Sequence, residues 1–390
     1  MSDDDGLLIV GGGAAAHMFI DAYRQADGGR AVTMVSADDR LPYFRPALTK
    51  ELLIGEQTEA DLPLDEAGWY TGRGVDVRLN CEVSALDIAD RIAATTQGPM
   101  RWSQCVLATG SSAKPLPTPG ADAAGVLSLR SAADAQHVLD TVADGAPVIV
   151  IGSGFIGCEV AAGLRARGID VTMVSQEVLP QQQRLGEAVG VLLGGWLGDL
   201  GVTVRGGRTV SSFERAGGMV VAHLDDGSTV VGGHALAATG ASPNISLAAA
   251  AGLAIDQGVV VDSSMRTEIP GLFAVGDIAF AFNETAGRPL RVEHWGDAEA
   301  MGTIAGKVAA DRSETWDEVP GFWSTIGGKE IKYVAWGDGF DDVVVDTSAS
   351  GFTAWYGNGG LTVGVLTFER DDDLEVGREL IRTHAPFRTN

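Results

Sequence analysis

Cysteine is scarce in this 390-residue sequence: Cys81, Cys105 and Cys158 are its only three, widely spaced and without a Cys-x-x-Cys pair. So sparse and odd a set excludes a disulfide framework and a thiolate metal cluster, and it suits a reducing cytoplasm. Basic residues are also few, 28 Lys+Arg against 52 Asp+Glu, for a net charge of −24 at pH 7. That field disfavours nucleic acid and anionic membrane as partners, and it opposes an acidic protein partner unless a local basic patch exists. Long apolar runs are missing: nothing reaches the roughly 18 residues of a membrane span. The start, "MSDDDGLLIVGGG", is acidic and then strand-like, unlike a secretory signal. The expectation is a cytoplasmic protein with no membrane partner, no nucleic acid and no metal site, monomeric or homodimeric.

Glycine, by contrast, is plentiful at 53 residues, and much of it follows short apolar runs. "LLIVGGGAAAHMFIDAYRQADGGRAVTMVS" and "VIVIGSGFIGCEVAAGLRARGIDVTMVS" share one layout: apolar run, glycine turn, Ala-rich helix-length segment, glycine break, then "VTMVS". This is strand–turn–helix–strand, twice, and implies two nucleotide-binding domains. A second repeat, "VLATG" and "LAATG", closes each of them, and "GLFAVGD" (Gly271 to Asp277) returns as a buried strand. After residue 313 the texture becomes alternating apolar and polar, with "NGG" as a hairpin signal and a closing helix "LEVGRELIRTHA". The expected fold is α/β, with two Rossmann-like dinucleotide-binding domains, the second inserted in the first, plus a C-terminal α+β domain whose sheet is an antiparallel meander. The expected boundaries are 1–119 and 241–312 for the first domain, 120–240 for the second and 313–390 for the last.

Gly11, Gly13 and Ala16 form a GxGxxA turn, and Gly152, Gly154 and Gly157 a full GxGxxG. The first glycine permits a tight turn, the second a close backbone approach to a pyrophosphate, and the third small residue lets the helix pack near the sheet. One such motif is weak evidence; two, each later closed by Ala-Thr-Gly, are not. An acid at the end of the second strand normally takes the adenosine ribose. Both units place serine there, Ser36 and Ser175, with Asp38 and Glu177 two residues on. An acid in the second unit, with no basic residue before Arg184, favours NADH over NADPH. Lys50, taken alone, reads as an exposed lysine at a helix start, Trp323 as a core residue, and His294 as a structural histidine with an acid/base role as the alternative.

Together the two glycine turns, the paired Ala-Thr-Gly segments, "GLFAVGD", "RPALTK" and "RVEHWGDAEAMG" resemble the FAD-dependent pyridine nucleotide-disulfide oxidoreductase superfamily. The likeness is to its ferredoxin reductase branch, with rubredoxin reductases and apoptosis-inducing factor as relatives. It implies FAD against Gly11, Gly13 and Ala16, with Asp38 near its ribose, and Gly276 and Asp277 near the ribityl chain or pyrophosphate. It implies the nicotinamide dinucleotide on Gly152, Gly154, Gly157, Ser175 and Glu177. Thr109, Gly110 and Gly240 of the Ala-Thr-Gly segments would line the nucleotides, and Arg45 would lie along the flavin. Lys50 and Glu159 would form an ion pair beside the flavin's hydride-accepting edge, and Trp295 would flank the ring.

In disulfide-dependent members of that class the neighbourhood of "LPYFRPALTK" carries redox cysteine; here it carries Arg45 and Lys50. Cys158, inside the second turn's helix, reads as a small apolar residue. The implied activity is hydride transfer from NADH to FAD and single-electron delivery to a ferredoxin, with no internal disulfide. "FWSTIGGKE" departs from the Trp-Ser-Asp-Gln-type opening usual in ferredoxin reductases, so the acceptor stays open. Alternatives are quinone, oxygen or another small acceptor, or a slow-turnover NADH-sensing flavoprotein. Arg288, Arg291, Lys307, Lys329 and Lys332 are the candidate basic patch, with a scattered, solvated set as the alternative.

Overall fold

The structure, a computed structural model, describes residues 6–387. Chain contacts divide it into two compact units, one of Met1–Phe44, Pro63–Ser112 and Pro243–Phe322, the other of Arg45–Leu62, Ala113–Ser242 and Trp323–Asn390.

The first unit is built on a five-stranded sheet in the order Leu272–Ala274, Gln104–Leu107, Leu7–Val10, Val32–Val35, Val75–Arg78, every pairing parallel. Continuous apolar runs such as LLIV, buried at each residue, are what a sheet covered on both faces demands. The helix Ala14–Gln25 follows the first strand. It lies close along the helix Trp295–Ala309 because Gly302 and Gly306 present no side chain. A Cβ at Gly302 would collide with the Ala15 carbonyl.

The second unit repeats the plan, in the order Thr203–Gly206, Val171–Ser175, Val148–Ile151, His234–Ala237, Leu127–Ser128, again parallel. Its core joins Ile149, Ile151 and Val174 of this sheet to Phe213, Val220 and Leu224 of a three-stranded antiparallel sheet. Residues 45–62 also belong here: the short helix Glu51–Ile54 sits on the helix Phe155–Ala166, where a Cβ on Gly163 would lie 2.8 Å from Leu53 Cδ2.

The C-terminal sheet runs Gly321–Ile326, Lys329–Ala335, Leu361–Phe368, Phe352–Asn358, Asp342–Thr347. This corrects the expected meander. The second strand pairs with the fifth, because the link "WGDGFDD" carries the chain past two positions to the far edge. The hairpin at "NGG" forms as expected: Gly359 and Gly360 have φ of 57° and 78°, the two positive values a tight two-residue turn requires. The closing helix is Asp371–Arg382, three residues longer at its start than "LEVGRELIRTHA" because Asp371, Asp372 and Asp373 favour a helix N-terminus.

Candidate functional site

Each unit presents a glycine turn feeding a twelve-residue helix. In the first, Gly11 has φ 119° and Gly13 stands at the N-cap of Ala14–Gln25 without a side-chain cap. In the second, Gly152 has φ 104° and Gly154 caps Phe155–Ala166 likewise. A Cβ on Gly13 or Gly154 would meet nothing within 4 Å, so both helix N-termini face open space. Such an uncapped N-terminus, with backbone N–H groups unspent, fits a pyrophosphate. The serines take a role the spacing did not reveal. Ser36 Oγ accepts from Asp38 N at 3.2 Å and Ser175 Oγ from Glu177 N at 3.1 Å, so each serine orients the acid two residues on. The repeated Ser-x-acid pattern was the available signal. In the second unit the hydroxyls of Ser153 and Ser175 lie 2.6 Å apart, and Ser153 also reaches Glu177 at 3.3 Å.

The remaining first-unit candidates have definite partners. Asp277 accepts from Ser111 Oγ at 2.5 Å, beside Gly276 with φ 71°. Tyr43 OH donates to Asp38 at 3.5 Å. Thr109 and Gly110 follow the strand Gln104–Leu107, and Thr109 is tied to Asn244 by two bonds of 2.9 Å. Trp295 opens its helix half-buried, edge-on to Phe44 at 5.1 Å, and it donates a hydrogen bond to Glu299. Burial raises the Glu299 carboxyl above its ordinary range despite that bond. His294 places Nδ1 3.1 Å from Asp297.

In the second unit Lys50 Nζ donates to Glu159 Oε2 at 2.9 Å, with the lysine side chain 11% exposed and the glutamate 2%. The exposed-lysine reading is thereby excluded. Glu159 also accepts from Thr49 Oγ1 at 2.5 Å, Ser324 Oγ at 2.6 Å and Thr325 N at 3.3 Å. Four donors around one buried carboxylate offset the cost of removing it from water. Thr49, Ser324 and Thr325 were not foreseen, since nothing in the spacing of 49, 159 and 324 connects them. Arg45 Nη1 donates to the Arg130 carbonyl at 2.6 Å, and Gly240 has φ 99° after the strand His234–Ala237. Trp323 is half-buried rather than a core residue, because it lies at the start of its strand beside buried Ser324.

The model of the pyridine nucleotide-disulphide oxidoreductase family matches residues 6–302. The chain belongs to that family. It is 32% identical to the ferredoxin–NAD(+) reductase component of the anthranilate 1,2-dioxygenase system of Burkholderia cepacia, over 98% of this chain and 95% of that protein. It is 29% identical to the rubredoxin–NAD(+) reductase of Pseudomonas putida, over 87% of this chain and 89% of that one. Among solved structures, the covalent putidaredoxin reductase–putidaredoxin complex matches with a TM-score of 0.93 at 25% identity, covering 99% of this chain and 94% of that chain.

Cys81, Cys105 and Cys158 are free and buried. Burial pushes the Cys105 and Cys158 thiols far up, and Glu159 adds to the effect on Cys158. Among the described residues no group of three or more His, Cys, Asp or Glu could hold a metal, and no helix is long and apolar enough to cross a membrane. Of the candidate basic residues, Arg291 pairs with Glu293, Lys307 with Glu314 at 2.9 Å and Lys332 with Asp371 at 2.8 Å. Lys329 stands 5.3 Å from the Trp196 ring.

Proposed function

We propose that this protein is an NADH-dependent FAD reductase that delivers electrons singly to a small iron–sulfur protein of the ferredoxin kind, in the cytoplasm. Residues 1–119 and 241–312 serve as the FAD-binding domain, 120–240 as the NADH-binding domain and 313–390 as the acceptor-side domain. The observation that carries the reading is the buried Lys50–Glu159 pair, one residue on the segment "RPALTK" and the other on the second glycine-turn helix. Near-whole-length likeness to a ferredoxin–NAD(+) reductase supports the acceptor class.

FAD, when bound, converts a two-electron hydride into single electrons. The chain's own residues bind and orient. Gly11, Gly13, Ala16, Asp38, Gly276 and Asp277 hold the flavin nucleotide, joined by Thr109, Gly110, Arg45 and Trp295. Gly152, Gly154, Gly157, Ser175, Glu177 and Gly240 hold NADH, with the Glu177 carboxylate, aimed by Ser175, accepting from the ribose hydroxyls. Lys50 supplies a positive charge where negative charge develops, and Glu159 compensates it. Because Cys105 and Cys158 are held as thiols, no thiolate relay is available from them and the electrons leave for an external acceptor.

Stopped-flow mixing of the FAD-loaded protein with NADH tests the reading. Fast flavin reduction followed by rapid oxidation by ferredoxin, but not by oxygen, is expected. Reduction taking minutes would refute it and point to a nucleotide sensor; rapid oxidation by quinone or oxygen alone would refute the acceptor.

A further inference from the structure

We propose that Thr49 and Ser324 are positioning residues that lock Glu159 as a fixed, ionised counter-charge and leave Lys50 as the movable member of the pair. This rests on the reading that Lys50 and Glu159 serve the hydride step. An ionised carboxylate has about four acceptor sites, two on each oxygen. All four are filled here: Oε1 by Ser324 Oγ and Thr325 N, Oε2 by Thr49 Oγ1 and Lys50 Nζ. Three of these donors are neutral; Thr49 (6% exposed) and Ser324 (1%) are buried, and Thr325 is half-buried.

The arrangement is asymmetric. Turning the carboxylate would break charge-assisted bonds on both oxygens at once. Turning the lysine breaks one. An ammonium has three donors, and among the described residues only one of those on Lys50 is engaged, at Glu159. When Lys50 swings to a negative charge developing elsewhere, Glu159 keeps three donors and remains ionised.

The ionisable surroundings are simple. Lys50 faces Glu159 from the segment before the short helix, which also carries Arg45 and Glu51. Cys158 is its neighbour on its own helix, and Arg165 and Arg167 stand at that helix's far end. The strands Val148–Ile151 and Val171–Ser175 carry no ionisable side chain, and neither does Gly321–Ile326. The helix Glu187–Asp199 has its acids at its two ends.

The test is infrared detection of a protonated Glu159, assigned by its loss in Glu159→Gln, together with stopped-flow flavin reduction by NADH, both on the FAD-loaded protein. Wild type should show no band from a protonated Glu159 between neutral and mildly acid pH. Thr49→Val, which keeps the shape and removes the donor, should bring up that band. It should also slow reduction about tenfold at the acid end while leaving NADH affinity unchanged. Thr49→Ser should restore both, and Ser324→Ala should reproduce the Val effect through the other oxygen. If Thr49→Val and Ser324→Ala show no more of that band than wild type, or Thr49→Ser is no better than Val, the lock is overturned. If Lys50→Met and Glu159→Gln reduce flavin at the wild-type rate, it is instead the hydride role of the pair that fails, and the infrared result still decides the lock.

Discussion

Among the positions at which the two glycine turns and their helices differ, three set the second copy apart from the first. Both turns use a positive-φ glycine pressed against the carbonyl of an Ala-Thr-Gly segment: a Cβ on Gly152 would lie 2.5 Å from Ala238 O, and one on Gly11 would collide with Ala108 O. At the third small residue the first unit has Ala16, fully buried, where the second has Gly157, whose Cβ would strike the Gly152 carbonyl. At the middle of the turn the first has Gly12, where a Cβ would come within 2.8 Å of Ser36 Oγ, and the second has Ser153, hydrogen-bonded to Ser175. Two residues past the third small residue stand Met18 and Glu159. The shared positions are set by backbone geometry.

The comparison breaks most visibly at the third position. Gly157→Ala is expected to cost about 2–4 kcal/mol and to abolish tight NADH binding, whereas Ala16→Gly should cost only about 0.5–1 kcal/mol. Thermal unfolding and NADH titration check both, and equal effects would mean that the two helices stand equally far from their sheets. Next in size is the charged pair. Lys50→Met should slow flavin reduction about a hundredfold, or about 2.7 kcal/mol, with FAD retention unchanged; an unaltered rate would remove Lys50 from the hydride step. Smaller is nucleotide choice. Ser175 is buried and bonded to Ser153, so it is not the place for an arginine. Gln176→Arg with Glu177→Ser should instead move the NADH-to-NADPH ratio of kcat/KM by about tenfold or more, and an unmoved ratio would mean that Glu177 does not read the ribose.

The smallest effect belongs to His17, which occupies the place of Cys158. Its Nδ1 lies 3.0 Å from Tyr70 OH and its ring stacks on Trp69 at 4.5 Å. Burial lowers its pKa below 6.5, outweighing the opposite pull of Asp65 and Asp21. The folded state therefore resists a proton that the unfolded chain accepts, so stability is lost as pH falls below the ordinary histidine value. Melting of wild type against His17→Gln, followed from neutral to mildly acid pH, should show the wild type losing ground; parallel curves would mean that His17 is charged in the fold.

Legibility followed locality. The two turns and their strands could be read because Gly11 and Gly152 need conformations that other residues rarely adopt, and because burial on both faces forces runs such as VIVI. Lys50 and Glu159 are 109 positions apart, and only resemblance to a family joined them. Thr49 and Ser324 carry no motif, since a hydroxyl that completes a carboxylate's shell is set by tertiary approach alone. Alternation after residue 313 showed strands but not their neighbours, which depend on a link of ordinary composition. Trp323 was misread because tryptophan's usual burial says nothing about a strand's first residues.

The buried thiols have a consequence for durability. Peroxide and alkylating reagents attack thiolates that solvent can reach. Cys81, Cys105 and Cys158 are shielded, and two of them are held firmly protonated. A protein so built should keep its three thiols intact among oxidative by-products formed around it.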